Sequence, residues 1–256
     1  MEKVLSVTLA RGGSKGIPYK NLALINGIPL LAYTIAEARM SGQIDEVLVS
    51  SDNIEILATA YQYGATPILR PSHLSQDTSK PIECIQHAVN FYEEKNDIKE
   101  KYPFIVELLC TNPFKTSDDI DHALKIQLET NADSVIAVMP LEDHHPIRIK
   151  KLEDGFIRDF CLEEIPESRR QDLKPQAYIR NGSIYSMRRD MMDKGTRYGT
   201  EDSRAYIMPR ERTVNIDEPM DLLFADMLMS KNPREYVKPL MDYDEAFTYV
   251  EKEYFL

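Results

Sequence analysis

The chain is poor in cysteine, has no long apolar run and carries no excess of positive charge. Its three cysteines, Cys84, Cys110 and Cys161, are odd in number and widely spaced. They offer no disulfide framework and no metal-ligand spacing, which predicts a reducing compartment. No stretch of about 18 apolar residues occurs, so no transmembrane helix is expected. Met1-Glu2-Lys3 leads straight into a strand-like run, without the charged start, apolar core and cleavage site of a signal peptide. Together these features predict a cytoplasmic protein. The net charge of −11 argues against nucleic acid as a partner. It leaves room for one nucleotide in a locally basic pocket. Internal repeats and low-complexity tracts are absent. Asn181-Gly182-Ser183 matches a glycosylation sequon, which reads as chance without a secretory signal.

What remains is a chain of 256 residues, 43% apolar and 29% charged, which suits one α/β domain with an embellishment. Strands are predicted over 4–9, 46–50, 66–69, 104–109 and 134–138. Helices are predicted over 28–39, 54–63, 81–94 and from 117 to about 129, with Ser51-Asp52-Asn53 and Ser117-Asp118-Asp119 as cap signals. This alternation implies a mostly parallel sheet with right-handed crossovers and helices on its faces. After Pro140 the rhythm breaks, and 140–180 reads as an insertion. Strands over 181–185 and 205–208 follow, then a helix with Pro219 in its first turn. The division expected is a core of 1–139 with 181–230, the insertion 140–180, and a helical extension 231–256.

The stretch Leu9-Ala-Arg-Gly-Gly-Ser-Lys-Gly-Ile-Pro-Tyr-Lys-Asn21 follows the first strand. It sets Arg11, Lys15 and Lys20 among glycines 12, 13 and 16. Glycines let backbone N–H groups approach a phosphate, and the cations neutralise it. Neither the Walker A spacing nor the dinucleotide Gly-x-Gly-x-x-Gly is present. In a parallel sheet ligands bind at the carboxyl ends of strands, where this loop lies. Asp217 stands between a strand and a helix. It suits a Mg²⁺ bridging triphosphate oxygens, or else simply caps the helix. Adjacent His144 and His145 point apart on a strand and are not expected to bind metal.

Ala10-Arg-Gly-Gly-Ser-Lys-Gly-Ile-Pro-x-Lys-Asn21 resembles the opening signature of the acylneuraminate cytidylyltransferases, relatives of the CMP-Kdo synthetases. Arg70-Pro71 with Gln76-Asp77-Thr78, Arg170-Gln171 with Asn181-Gly-Ser-Ile-Tyr185, and Val214-Asn-Ile-Asp217 match further family segments in order. The resemblance implies a Rossmann-like, nucleotide-diphospho-sugar transferase fold with a small dimerisation insertion. It implies transfer of CMP from CTP to a nine-carbon acidic sugar for surface polysaccharides, with Mg²⁺, in a homodimer whose insertion lends sugar-binding residues to its partner. By the same resemblance Ala10, Arg11, Gly12, Gly13, Ser14, Lys15, Asn21, Arg70, Asp77, Thr78 and Asn181 bind the nucleotide. Arg11, Lys20 and Asp217 carry catalysis, and Arg148, Arg170 and Gln171 face the sugar.

Three departures from the family bear on substrate and metal. Asn215 replaces the first Asp of the closing motif, so it is a weak second metal ligand beside Asp217. Leu108-Leu-Cys-Thr-Asn-Pro113 lacks the family's sugar-contacting Gln, and Arg148 replaces a Lys. A legionaminic or pseudaminic acid is therefore as credible a substrate as N-acetylneuraminic acid. A non-catalytic nucleotide-sugar binder, a Kdo-type enzyme and a nucleotidyltransferase for another base remain as alternatives.

Overall fold

The computed structural model describes residues 2–14, 16–141 and 144–256. Eleven strands and seven α-helices are defined among them. In chain order they are β1 (Val4–Leu9), β2 (Leu24–Ile25), β3 (Ile28–Pro29), α1 (Leu30–Met40), β4 (Glu46–Ser51) and α2 (Ile54–Gln62). Next come β5 (Thr66–Leu69), α3 (Pro81–Lys95), β6 (Phe104–Leu108), α4 (Ser117–Thr130) and β7 (Ser134–Leu141). The rest are β8 (Lys150–Glu153), β9 (Phe156–Asp159), β10 (Ala177–Arg188), α5 (Arg189–Asp193), β11 (Ser203–Ile207), α6 (Pro219–Lys231) and α7 (Tyr243–Tyr254).

Seven strands form the central sheet in the order β11-β7-β10-β6-β1-β4-β5. All neighbours run parallel except β10, which is antiparallel to both β6 and β7. Alternate residues of the buried strands feed two cores, as a period of two requires. Val4, Val106, Leu108, Val49 and Val135 face α1, α2, α4 and α6. Leu5, Val7, Leu48, Ile105 and Met187 face α3 and α5 on the other side. The chain order reverses between β1 and β6, which opens a crevice at the carboxyl ends of those strands.

Several predicted elements shift for identifiable reasons. The helix expected from Ile28 begins at Leu30, because Asn26 (φ 50°) and Gly27 (φ 76°) make a two-residue turn that pairs β2 with β3. Asn53 caps α2 as expected, accepting from the Ile56 amide at 3.0 Å. For α4 the cap is Thr116, one residue earlier than the predicted signal, with Asp119 bonding back to it. β7 and β10 stay paired out to Leu141 and Ala177, past a bulge between Arg180 and Tyr185. The ends of the expected insertion thus lie in the main sheet, and only the β8–β9 hairpin and its flanks leave it. In the C-terminal segment α7 packs on α2, with the Tyr61 and Tyr249 rings stacked at 4.1 Å.

Candidate active site

The loop after β1 is pinned at both ends. The Ala10 amide donates to the Ser50 carbonyl at 3.0 Å, and the Gly12 amide to Asp52 Oδ1 at 2.9 Å. A Cβ at Gly16 would lie 2.3 Å from the Asp217 carbonyl oxygen, and one at Gly12 would lie 3.0 Å from the Asn53 side chain. The glycines at these two positions therefore let the loop lie against neighbouring backbone and side chain. Asn21 is buried; its amide donates to the Arg11 carbonyl at 3.0 Å and its oxygen accepts from Cys110 Sγ at 2.8 Å. Lys20 Nζ donates to the Ile216 carbonyl at 2.9 Å and to Asp217 Oδ1 at 3.0 Å.

Asp217 is released from the capping role that sequence left open to it. The N-terminus of α6 is closed by Glu218 and Asp221 in a reciprocal capping box, with Asp221 Oδ2 accepting from the Asp217 and Glu218 amides at 2.9 and 2.8 Å. Those two amides hold the Asp221 carboxyl below its ordinary range. The Asp217 side chain instead faces Lys20 and stays 64% exposed, with Asn215 Nδ2 donating to its second oxygen. Among the described residues no cluster of three or more His, Cys, Asp or Glu could hold a metal alone. Mg²⁺ is commonly held by one or two carboxylates with phosphate and water oxygens; the exposed Asp217 carboxylate is one donor of that kind, its two oxygens now accepting from Lys20 and Asn215.

The crevice holds a cavity of about 300 Å³, lined among others by Arg11, Ser14, Lys20, Asn21, Arg70 and Glu107. Arg70 is buried, which lowers the pKa of its guanidinium. Its Nε donates to Ser50 Oγ at 3.0 Å and its Nη2 to the Ser50 carbonyl. Asp77 pairs with Arg11 at 2.6 Å across the cavity mouth. Thr78 is exposed and is not among the lining residues. Lys15, predicted for the same loop, lies outside the described residues.

The structure does not bring every predicted residue to this cavity. Asn181 is buried in β10 with its amide against Met208 Sδ. Arg148 reaches the Ser168 carbonyl at 3.4 Å, and Arg170 and Gln171 lie exposed in a short 3₁₀ turn. None of these lines the cavity, and neither do Ala10, Gly12, Gly13, Asn215 and Asp217. Conversely, Glu107 was missed. It is buried in β6, lines the cavity, and accepts from Arg197 Nη1. Burial pushes its carboxyl up, against the pull of Arg197. Arg197 packs 5.1 Å from the Tyr185 ring and 5.6 Å from Tyr198, and Arg180 lies 4.6 Å over Tyr198. A glutamate inside the apolar run 104–108 was the findable signal; nothing in the sequence marked Arg197.

A strand-end loop of fixed amides and cations, a carboxylate across from it and a crevice at the sheet's reversal point define a nucleotide-binding α/β protein. Residues 6–228 match the cytidylyltransferase family model. The chain belongs to that family. It is 32% identical over 238 residues to a pseudaminic acid cytidylyltransferase of Campylobacter jejuni, covering 90% of this chain and 97% of that one. It is 29% identical over 244 residues to the CMP-N,N'-diacetyllegionaminic acid synthase of Legionella pneumophila, covering 92% and 100%. In fold it is similar to a CMP:2-keto-3-deoxy-manno-octonic acid synthetase complexed with CTP (TM-score 0.65, 16% identity, 90% and 99% covered).

Proposed function

We propose that the protein transfers CMP from CTP to the anomeric hydroxyl of a nine-carbon acidic sugar of the sialic, pseudaminic or legionaminic type, releasing pyrophosphate. The observation that carries this reading is the meeting of Lys20 with Asp217 beside the loop of Arg11 and Ser14. The names of the relatives supply the sugar class. In the reaction the sugar hydroxyl attacks the α-phosphorus in line and pyrophosphate leaves, so positioning and charge neutralisation dominate.

Arg11 and the loop amides would hold the triphosphate, with Lys20 placed to offset charge at the α-phosphate. Triphosphate binding would compete with Asp77 for Arg11 and with Asp217 for Lys20. Arg70, with guanidinium donors beyond the two used on Ser50, is suited to the O2 and N3 acceptors of cytosine. Asp217, with Asn215 as a weak second donor, would hold Mg²⁺, which when bound supplies charge neutralisation on phosphate oxygens.

A homodimer and a cytoplasmic location complete the reading. Leu152 and Ile157 lie opposite each other on one face of the β8–β9 hairpin and are exposed, and Phe156, Phe160 and Ile165 are exposed on and after it, apolar surface suited to a second copy. Pairing there would also offer Arg148 and Arg170 to the partner's sugar. The free cysteines suit a reducing compartment.

The test is pyrophosphate release with CTP and Mg²⁺ against N-acetylneuraminic, legionaminic, pseudaminic and Kdo sugars. Release with one nine-carbon sugar is expected. CTP binding without release across the panel would favour a non-catalytic binder instead, a reading that the Asn215 replacement motivates.

A further inference from the structure

Lys115 is fully buried, is not among the cavity's lining residues, and has no part in the chemistry above. Its Nζ donates to the carbonyls of Leu109 at 2.7 Å and Asn112 at 2.6 Å, and to the Thr34 hydroxyl at 2.9 Å. Three acceptors match the three protons of an ammonium. Among the described residues no carboxylate pairs with it. The carboxylates it feels are Glu37 of α1, held by Arg234, and Asp119 of α4, held by Arg212. A buried charge without its own counterion is costly. What it holds is the turn 109–112.

That turn joins the two halves of the site. Leu109, Cys110 and Thr111 line the cavity. Cys110 donates to Asn21, which holds the Arg11 carbonyl. The Thr111 carbonyl accepts from the Ile216 amide at 2.8 Å, next to Asp217. The Cys110 thiol is within electrostatic reach of both Lys115 and Lys20.

We infer that Lys115 is a positioning residue of the triphosphate site, fixing the 109–112 turn as an ammonium, and that triphosphate binding draws a proton onto it. This rests on the reading of the cavity as the CTP site. Burial pushes the Lys115 pKa down to about 7; the Arg234 charge lowers it too, while Cys110, Glu37 and Asp119 oppose the shift. Above that pH the free protein holds a neutral amine, with two protons for three acceptors. A polyanion in the cavity favours the charged form. In that window the complex therefore gains a proton, and by linkage CTP affinity falls as pH rises.

The test is calorimetric titration of the full chain with CTP and Mg²⁺ at about pH 7.5, in buffers of different ionisation enthalpy, to count protons. Ionisation of CTP itself enters wild type and variants alike. Wild type is expected to take up more protons than Lys115→Met, and the variant to bind CTP at least about tenfold more weakly near pH 6.5, as loss of charged hydrogen bonds predicts. The gap narrows as pH rises. Thr34→Val, which keeps the lysine and removes one acceptor, is expected to move the uptake window to lower pH. If Lys115→Met does not fold, an unmoved window in Thr34→Val overturns the inference. Equal proton counts in wild type and variants, with CTP bound, overturn it and leave the CTP reading standing. Absence of CTP binding by wild type overturns both.

Discussion

Lys20 reaches across 197 residues of chain to donate to Asp217 at 3.0 Å. Because α6 is capped by Glu218 and Asp221, replacing Asp217 takes no cap away. Lys20→Ala and Asp217→Ala are therefore each expected to fold normally and to lose at least about a hundredfold in turnover, as removal of a transition-state charge contact does. Circular dichroism with pyrophosphate-release kinetics checks both halves of this. Near-normal turnover in a folded variant would remove that residue from catalysis. Asp221 makes the opposite case. Its pKa lies below the ordinary carboxylate range, so its stabilisation is complete above that range and is lost as pH falls through the depressed value. Asp221→Ala should cost about 1 kcal/mol, the worth of a cap, in urea unfolding at neutral pH, with the deficit shrinking in acid.

At the scale of elements, the order of strands and helices was legible because buried parallel strands read as short apolar runs and the helices carry caps. The position of the loop after β1 was legible too: it lies at the carboxyl end of its strand, with Arg11, Ser14, Gly16 and Lys20 lining the cavity. What sequence hid was pairing across long separations. Asn26-Gly27 is a strong hairpin signal, yet the apolar spacing that follows it reads as an uninterrupted helix. The antiparallel course of β10 depends on its neighbours and leaves no local mark. Glu107 stood in plain view within β6, but its partner Arg197 lies 90 residues away. That pair is nearly enclosed, with side chains 4% and 18% exposed. Arg197→Ala should cost about 3–5 kcal/mol, because it strands a buried carboxylate. Thermal melts would show it, and a variant as stable as wild type would mean that water replaces the guanidinium.

For the whole molecule, two segments outside the sheet matter. The C-terminal segment reaches back through Arg234, which donates to the carbonyls of Pro113, Phe114 and Lys115 at 2.7–3.0 Å and pairs with Glu37 at 2.6 Å. It thereby braces residues 113–115, directly after the turn that Lys115 grips from within. The β8–β9 hairpin leaves Ile157 67% exposed and Leu152 76% exposed. Sedimentation at micromolar concentration is expected to show a dimer, and Ile157→Asp a monomer; a wild-type monomer would end the dimer reading.

The Gly16 contact with the Asp217 carbonyl has a mechanical consequence. Two segments some two hundred residues apart in sequence touch where no side chain separates them. The loop after β1 cannot tilt toward the Asp217 backbone without pushing it. Movement of the loop that lines the cavity is thus felt at the backbone just before α6, and a single added methyl group at position 16 would pry the two segments apart.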